Sequence, residues 1–245
     1  MAPVTIVCWK WASARSRSTF GPETVNVLRA MVRRHYRQDV RFICVTDDTA
    51  GLDAGVEVLP DWHDFVDLPS PHGGTNPSCY RRLRMFHPDA AQWFGERFAW
   101  MDLDSVVCGD LGPILDRPEA FVSYGDTNPR PGSHYNGSLM LLTAGARGQV
   151  WERFNPTTSP REALRGGCWG SDQGWISYCL GPGEKKWGKV DGVYSFRNHL
   201  QGVRTLPENA RLVIFHGRHN PWDADVQRKY PWIRQHWRRE TEVAA

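Results

Sequence analysis

Short, uninterrupted apolar runs alternate along the chain with longer segments whose apolar residues recur every three or four positions. Residues 4–9 read as a buried strand. A Ser- and Arg-rich loop follows at 12–21. Pro22 then suits a first helical turn, and Val25, Leu28, Val32 and Tyr36 form an apolar stripe at helical spacing. Arg29, Arg33, Arg34 and Arg37 fall mostly elsewhere on that helix. Residues 40–45 and 56–59 are further buried strands, the first ending in Thr46-Asp47-Asp48. Strand–helix–strand alternation with continuously apolar strands predicts a largely parallel sheet covered on both faces. A Pro- and Gly-rich loop at 67–77 leads to a short basic helix at 79–86. Strands are expected up to Met101, at 120–124, from Tyr135 to Leu142, and at 212–215. Gly170-Ser171-Asp172-Gln173 opens a helix that runs to Leu180, with Ser171 or Asp172 as its cap. The expected fold class is α/β: a mainly parallel central sheet with flanking helices over residues 1–225, then a basic, aromatic tail at 226–245.

Polar residues interrupt this pattern at the strand ends: Asp47, Asp102, Asp104, Asn136 and His216. Open α/β sheets bind ligands outside the carboxyl ends of their strands. The segment Met101-Asp102-Leu103-Asp104 is the most telling. Two carboxylates one residue apart at the end of an apolar strand are costly to desolvate and repel each other. A divalent cation removes both difficulties. Asp oxygens suit Mg²⁺ or Mn²⁺, ions that usually complete their shell with substrate phosphates. The plainer alternative is a turn whose Asp side chains cap backbone amides.

Composition narrows the classes. The chain has 245 residues and a formal net charge of +3. Arginine supplies 25 of its 30 basic residues, which suits phosphate or carboxylate partners. The six cysteines form no C-x-x-C pair, so they read as thiols rather than as a disulfide or zinc framework. No apolar run approaches a membrane span. A cytoplasmic protein is expected. Tryptophan is abundant, at twelve residues; some belong to the core, and a sugar or base site also uses such flat amphipathic rings.

Taken in order, Tyr80-Arg81-Arg82-Leu83, Met101-Asp102-Leu103-Asp104, Tyr135-Asn136-Gly137-Ser138-Leu139-Met140, Ser171-Asp172-Gln173, and Phe215-His216-Gly217 with Pro221-Trp222 resemble the GT-A glycosyltransferases of the glycogenin and lipopolysaccharide galactosyltransferase type, glycosyltransferase family 8. The resemblance spans roughly residues 4–225. It implies a UDP-sugar donor, Mn²⁺ (or Mg²⁺), and retention of anomeric configuration. It assigns Asp102, Asp104 and His216 to the metal, and Asp172 and Gln173 to the sugar near the reacting carbon. Arg82, Leu103, Asn136, Gly137 and Gly217 fall beside the donor, and Asp47 lies in a loop at the same edge. Two departures stand out. His216 directly precedes Gly217, which makes His219 a competing ligand, and Asn220 replaces the usual Lys, so Arg218 is the candidate phosphate clamp. The usual Asp-x-x-Tyr of the first loop is absent, and Trp9, Lys10 and Trp11 sit where the uracil stacks.

The acceptor is either a saccharide or glycolipid, or DNA carrying 5-hydroxymethylcytosine. The Arg clusters at 29–41, 81–84 and 228–239, the spare Trp residues and a similarity to small phage-type transferases favour DNA. A two-metal nuclease and a non-catalytic nucleotide-sugar binder are the other classes. The nuclease needs more clustered carboxylates than Asp102 and Asp104.

Overall fold

The computed structural model describes residues 4–11, 20–69, 79–125 and 130–239. Residues 12–19 of the expected Ser- and Arg-rich loop and most of the expected loop at 67–77 lie outside the described residues. The strands are β1 (Thr5–Trp9), β2 (Arg41–Val45), β3 (Glu57–Leu59), β4 (Arg97–Met101), β5 (Ser105–Val107), β6 (Phe121–Gly125), β7 (Tyr135–Thr143), β8 (Lys185–Trp187), β9 (Val193–Ser195) and β10 (Leu212–Ile214). The α-helices are α1 (Pro22–His35), α2 (Ala90–Phe94), α3 (Gly112–Leu115), α4 (Gln149–Glu152), α5 (Ser159–Arg165), α6 (Asp172–Leu180), α7 (Ala224–Lys229) and α8 (Pro231–His236). Tyr80–Phe86, expected as a helix, is a 3₁₀ helix.

Seven strands form the central sheet in the order β3-β2-β1-β4-β7-β6-β8. Pairing is parallel at β3–β2, β2–β1, β1–β4 and β6–β8. It is antiparallel on both sides of β7. That reversal brings the start of β7, with Asn136, to the edge where β1 and β4 end. Asn136 therefore lies within a strand and not in a loop after one. The chain steps outward from β1 to β2 and β3, then returns to the other side of β1 as β4. The β1/β4 boundary is thus the topological switch point, where such sheets form a crevice.

Alternate residues face opposite sides of a strand. Val7, Trp9, Phe98 and Trp100 pack in one apolar cluster, and Ile6, Cys8, Ala99 and Met101 in the other. Both faces are covered, which is why these strands are continuously apolar. The predicted stripe Val25, Leu28, Val32 and Tyr36 of α1 joins the second cluster. So do Val226, Tyr230, Trp232, Ile233 and Trp237. The Arg34 guanidinium donates to the carbonyls of His236 and Arg238, tying α8 to α1. A second sheet, β5-β10-β9, continues directly from the Asp102–Asp104 turn. Among the described residues no helix is long and apolar enough to cross a membrane.

Candidate active site

Asp102 leaves β4 at the switch point. Its N–H donates to the Ser138 carbonyl at 3.0 Å, and its own carbonyl accepts from Ser105 N–H at 3.1 Å. These bonds stitch the turn to β7 and to the start of β5. Asp104 is buried in the same turn.

Arg82, from the 3₁₀ helix, reaches this turn and joins three elements. Its Nη1 lies 2.8 Å from Asp102 Oδ1 and donates to the Gly137 carbonyl at 3.2 Å. Its Nη2 lies 2.6 Å from Asp172 Oδ2. The Arg82 and Asp172 side chains are only 8% and 5% exposed, whereas Asp102 keeps 26%. The buried pair therefore has one partly open end, at Asp102. Burial opposes the Arg82 charge, but Asp172 and then Cys79 and Asp102 outweigh it and hold its pKa above the ordinary value. Burial pushes the Asp102 carboxyl above its usual range, with Arg82 and Ser138 pulling the other way.

The start of β7 is equally constrained. Trp100 Nε1 donates to the Gly137 carbonyl at 2.8 Å, and Gln173 Oε1 accepts from Gly137 N–H at 2.9 Å. Asn136 Oδ1 accepts from Ser138 N–H at 3.0 Å. A Cβ on Gly137 would lie 3.0 Å from Arg82 Nη2 and 3.4 Å from Gln173 Oε1, so a side chain here would press on both groups. The α6 cap is Ser171, whose hydroxyl accepts from Gly174 N–H. Asp172 is thereby freed from capping and turned to Arg82.

The other expected donor residues divide. Trp9 is 4% exposed, its ring packed on Phe94 and Trp100. It supports the crevice from behind, a correction to its expected place against a base. Lys10 is buried and ends 2.8 Å from Asp48. Trp11 lies under the Arg81 guanidinium, 4.5 Å from its ring centre. Leu103 is buried in the turn between the two carboxylates. Asp47 is exposed; it accepts from Asp61 N–H at 3.0 Å and lies 2.9 Å from His63 Nε2. His63 and Phe65 both carry φ of 56°, unusual for residues with a side chain.

His216 follows β10, its Nε2 2.7 Å from Ser195 Oγ. Ser195 Oγ also accepts from Asn198 N–H at 3.0 Å. Gly217 has φ +94°, backbone that favours glycine, and it carries the chain to exposed Arg218. The His219 ring packs near Phe196. Among the described residues no three His, Cys, Asp or Glu side chains converge into a ready metal cage. The structure thus does not assemble Asp102, Asp104 and His216 as a preformed triad. The donor chemistry of the turn still fits a hard cation, because Mg²⁺-type ions need only one or two carboxylates beside phosphates and water.

The sequence reading missed the anchoring roles of Trp100, Ser138 and Ser195. The arginines at 81–84, expected among the clusters that could contact DNA phosphates, do not face outward as a group. Instead Arg81 pairs with Asp61 and Arg84 with Asp64. Arg84 also lies over the rings of Trp62, Trp93 and Trp151. The matched three-residue spacings of Asp61/Asp64 and Arg81/Arg84 were the available signal.

No protein-family model matches the sequence, and no curated protein matches it. Solved structures do. The galactosyltransferase LgtC, in complex with donor and acceptor sugar analogs, superposes with a TM-score of 0.60 at 13% identity, over 95% of this chain and 96% of that one. The bifunctional glycosyltransferase WbbM gives 0.57 at 13% identity, over 91% of this chain and 47% of its own. The glycosyltransferase GlyE of Streptococcus pneumoniae gives 0.57 at 10% identity, over 98% and 67%. At such identities the likeness is one of fold, and that fold, with its mostly parallel seven-stranded sheet, is the GT-A glycosyltransferase fold.

Proposed function

We propose that the chain transfers a sugar from a UDP-sugar to an acceptor hydroxyl, in the manner of the retaining family 8 enzymes it resembles. One observation carries the reading. Arg82 draws Asp102, Asp172 and the Asn136–Gly137 stretch of β7 into a single cluster at the switch point of a glycosyltransferase fold. Asp102 and Asp104 would hold Mn²⁺ or Mg²⁺, with His216 a further donor on ligand binding. When bound, the cation supplies positive charge beside the departing diphosphate.

The chain's own groups do the rest. Asp172, fixed by Arg82, presents a carboxylate where positive charge develops on the sugar. Gln173 gives its Oε1 to Gly137, which leaves its amide N–H groups as donors to sugar hydroxyls. Asn136, Gly137, Leu103 and Gly217 border the donor, and Arg218 reaches toward the diphosphate. Asp172 is ion-paired with Arg82, which lowers its nucleophilicity and fits front-face transfer with an electrostatic role for Asp172 better than a covalent sugar–enzyme intermediate.

A saccharide acceptor suits the arginine placement better than DNA. Arg81, Arg82 and Arg84 are committed to carboxylates. Exposed Arg33 and Arg37 lie near the end of α1, just before β2 begins. That is the edge of the sheet opposite Asp102, and Arg239, from the C-terminal cluster, is committed to Glu23. Phosphates held there are out of line with a base extruded into the crevice.

A donor panel with Mn²⁺, offered saccharides and DNA containing 5-hydroxymethylcytosine, tests this directly. Glycosylated saccharide is expected, and EDTA should abolish it. Glycosylated DNA with no saccharide product would overturn the acceptor assignment.

A further inference from the structure

A second cleft opens on the outer side of the same sheet edge, between Ser133–His134, just before β7, and the segment after β8. Its volume is about 420 Å³, within the range of small-molecule sites. Ser133, His134, Lys186, Trp187, Gly188 and Asp191 line it. Tyr124 stands opposite Asn136 on one side and Trp187 on the other. Two strand spacings, about 10 Å, therefore separate Trp187 on β8 from Asn136 on β7, while Ser133 and His134 bring the near wall of the cleft to the start of β7. A ligand there would lie beside the crevice without overlapping it.

The charges of the cleft are unevenly satisfied. Asp191 accepts from Gly188 N–H at 2.9 Å and lies 3.5 Å from Arg117, so its carboxylate is compensated from within. Lys186 is exposed and pairs with no carboxylate among the described residues. Its nearest recorded partner is the face of the Tyr135 ring, 5.9 Å away. His134 stands beside it; burial and then the Lys186 charge hold the imidazole below its ordinary pKa, so it meets a ligand as a neutral donor and acceptor. Trp187 contributes a second, independent sign. Its Nε1 is buried with no hydrogen-bond partner, beneath a cleft that the same residue lines, so the indole senses what occupies the cleft. The lysine itself is notable in a chain that otherwise uses arginine: of five lysines, three are Lys185, Lys186 and Lys189.

We propose that this cleft holds an acidic group, carboxylate or phosphate, on the acceptor saccharide, with Lys186 as the recognising cation and His134 and Ser133 bonding neighbouring hydroxyls. The proposal rests on the glycosyltransferase reading for the word acceptor, but not for binding itself. The Trp187 indole N–H is the reporter, assigned in an NMR spectrum by its loss in Trp187→Phe. A uronate-terminated disaccharide, a phosphorylated disaccharide and a neutral disaccharide are titrated separately. At least one acidic ligand should shift the Trp187 signal at concentrations where the neutral one does not, and Lys186→Glu should weaken that binding at least tenfold. The two acidic arms show which group is preferred. Equal response to acidic and neutral ligands, no response to any, or an unchanged affinity in a folded Lys186→Glu protein would overturn the proposal. UDP release from UDP-sugars, followed in the same wild-type samples, reports on the transferase reading alone, so the two can fail separately.

Discussion

At the scale of single residues, the account turns on Arg82. One guanidinium bridges two carboxylates that come from different elements, a geometry that suits a planar fork, and leaves the trio one negative charge in excess. Arg82→Met should cost about 3–5 kcal/mol in urea unfolding, because it leaves charged groups buried without their partner. Arg82→Lys should recover part of that stability but little turnover, since an ammonium bonds one carboxylate well and not two. Gly137→Ala tests the crowding around the same group. Its Cβ must displace Arg82 Nη2 from 3.0 Å, and a misplacement of that kind near a reacting centre costs on the order of tenfold to a hundredfold in kcat/KM. A steady-state assay giving wild-type kcat/KM would show that the turn is not held as tightly as its bonds suggest.

At the scale of elements, the long apolar strands and α1 are legible from the sequence because burial on both faces leaves an uninterrupted pattern. β8 and β9 are not. Lys185-Lys186-Trp187 has two exposed lysines, and three residues carry no periodicity. Asp102, Asp104, Asp172 and Gln173 are legible as ligand-type residues at element ends, but their joining through Arg82 is not, since it depends on antiparallel β7 reaching the same edge. The contact of α1 with α8 is likewise a tertiary fact, and it has a consequence in acid. His236 and His35 face each other, rings 5.8 Å apart, with Arg34 and Arg238 beside His236 and Asp110 acting on His35. Burial, His35 and the arginines hold His236 down to about 4. The unfolded chain therefore binds a proton that the folded one refuses, so stability is full above about 6.5 and falls as pH drops toward 4. Tm should decline across that window, and His236→Asn should flatten the decline. An unchanged slope would place the acid sensitivity elsewhere.

At the scale of the whole molecule, the sheet divides the work. The carboxyl edge of β1 and β4, with the start of β7, gathers the acidic and amide groups, and the opposite edge carries exposed Arg33 and Arg37 near the end of α1. Charge reversal at Arg33 and Arg37 should therefore leave sugar transfer within about twofold, whereas a DNA-tracking enzyme would lose salt-sensitive binding. The central claim is that transfer occurs at the Arg82-linked cluster, and the most direct measurement is turnover of UDP-sugar with Mn²⁺ by wild type, Asp102→Asn and Asp172→Asn, each checked for an intact thermal transition. The account predicts UDP release and sugar transfer by wild type and a loss of at least about a hundredfold in both variants. Wild-type turnover in folded Asp102→Asn and Asp172→Asn, or none in wild type with any UDP-sugar, would contradict it.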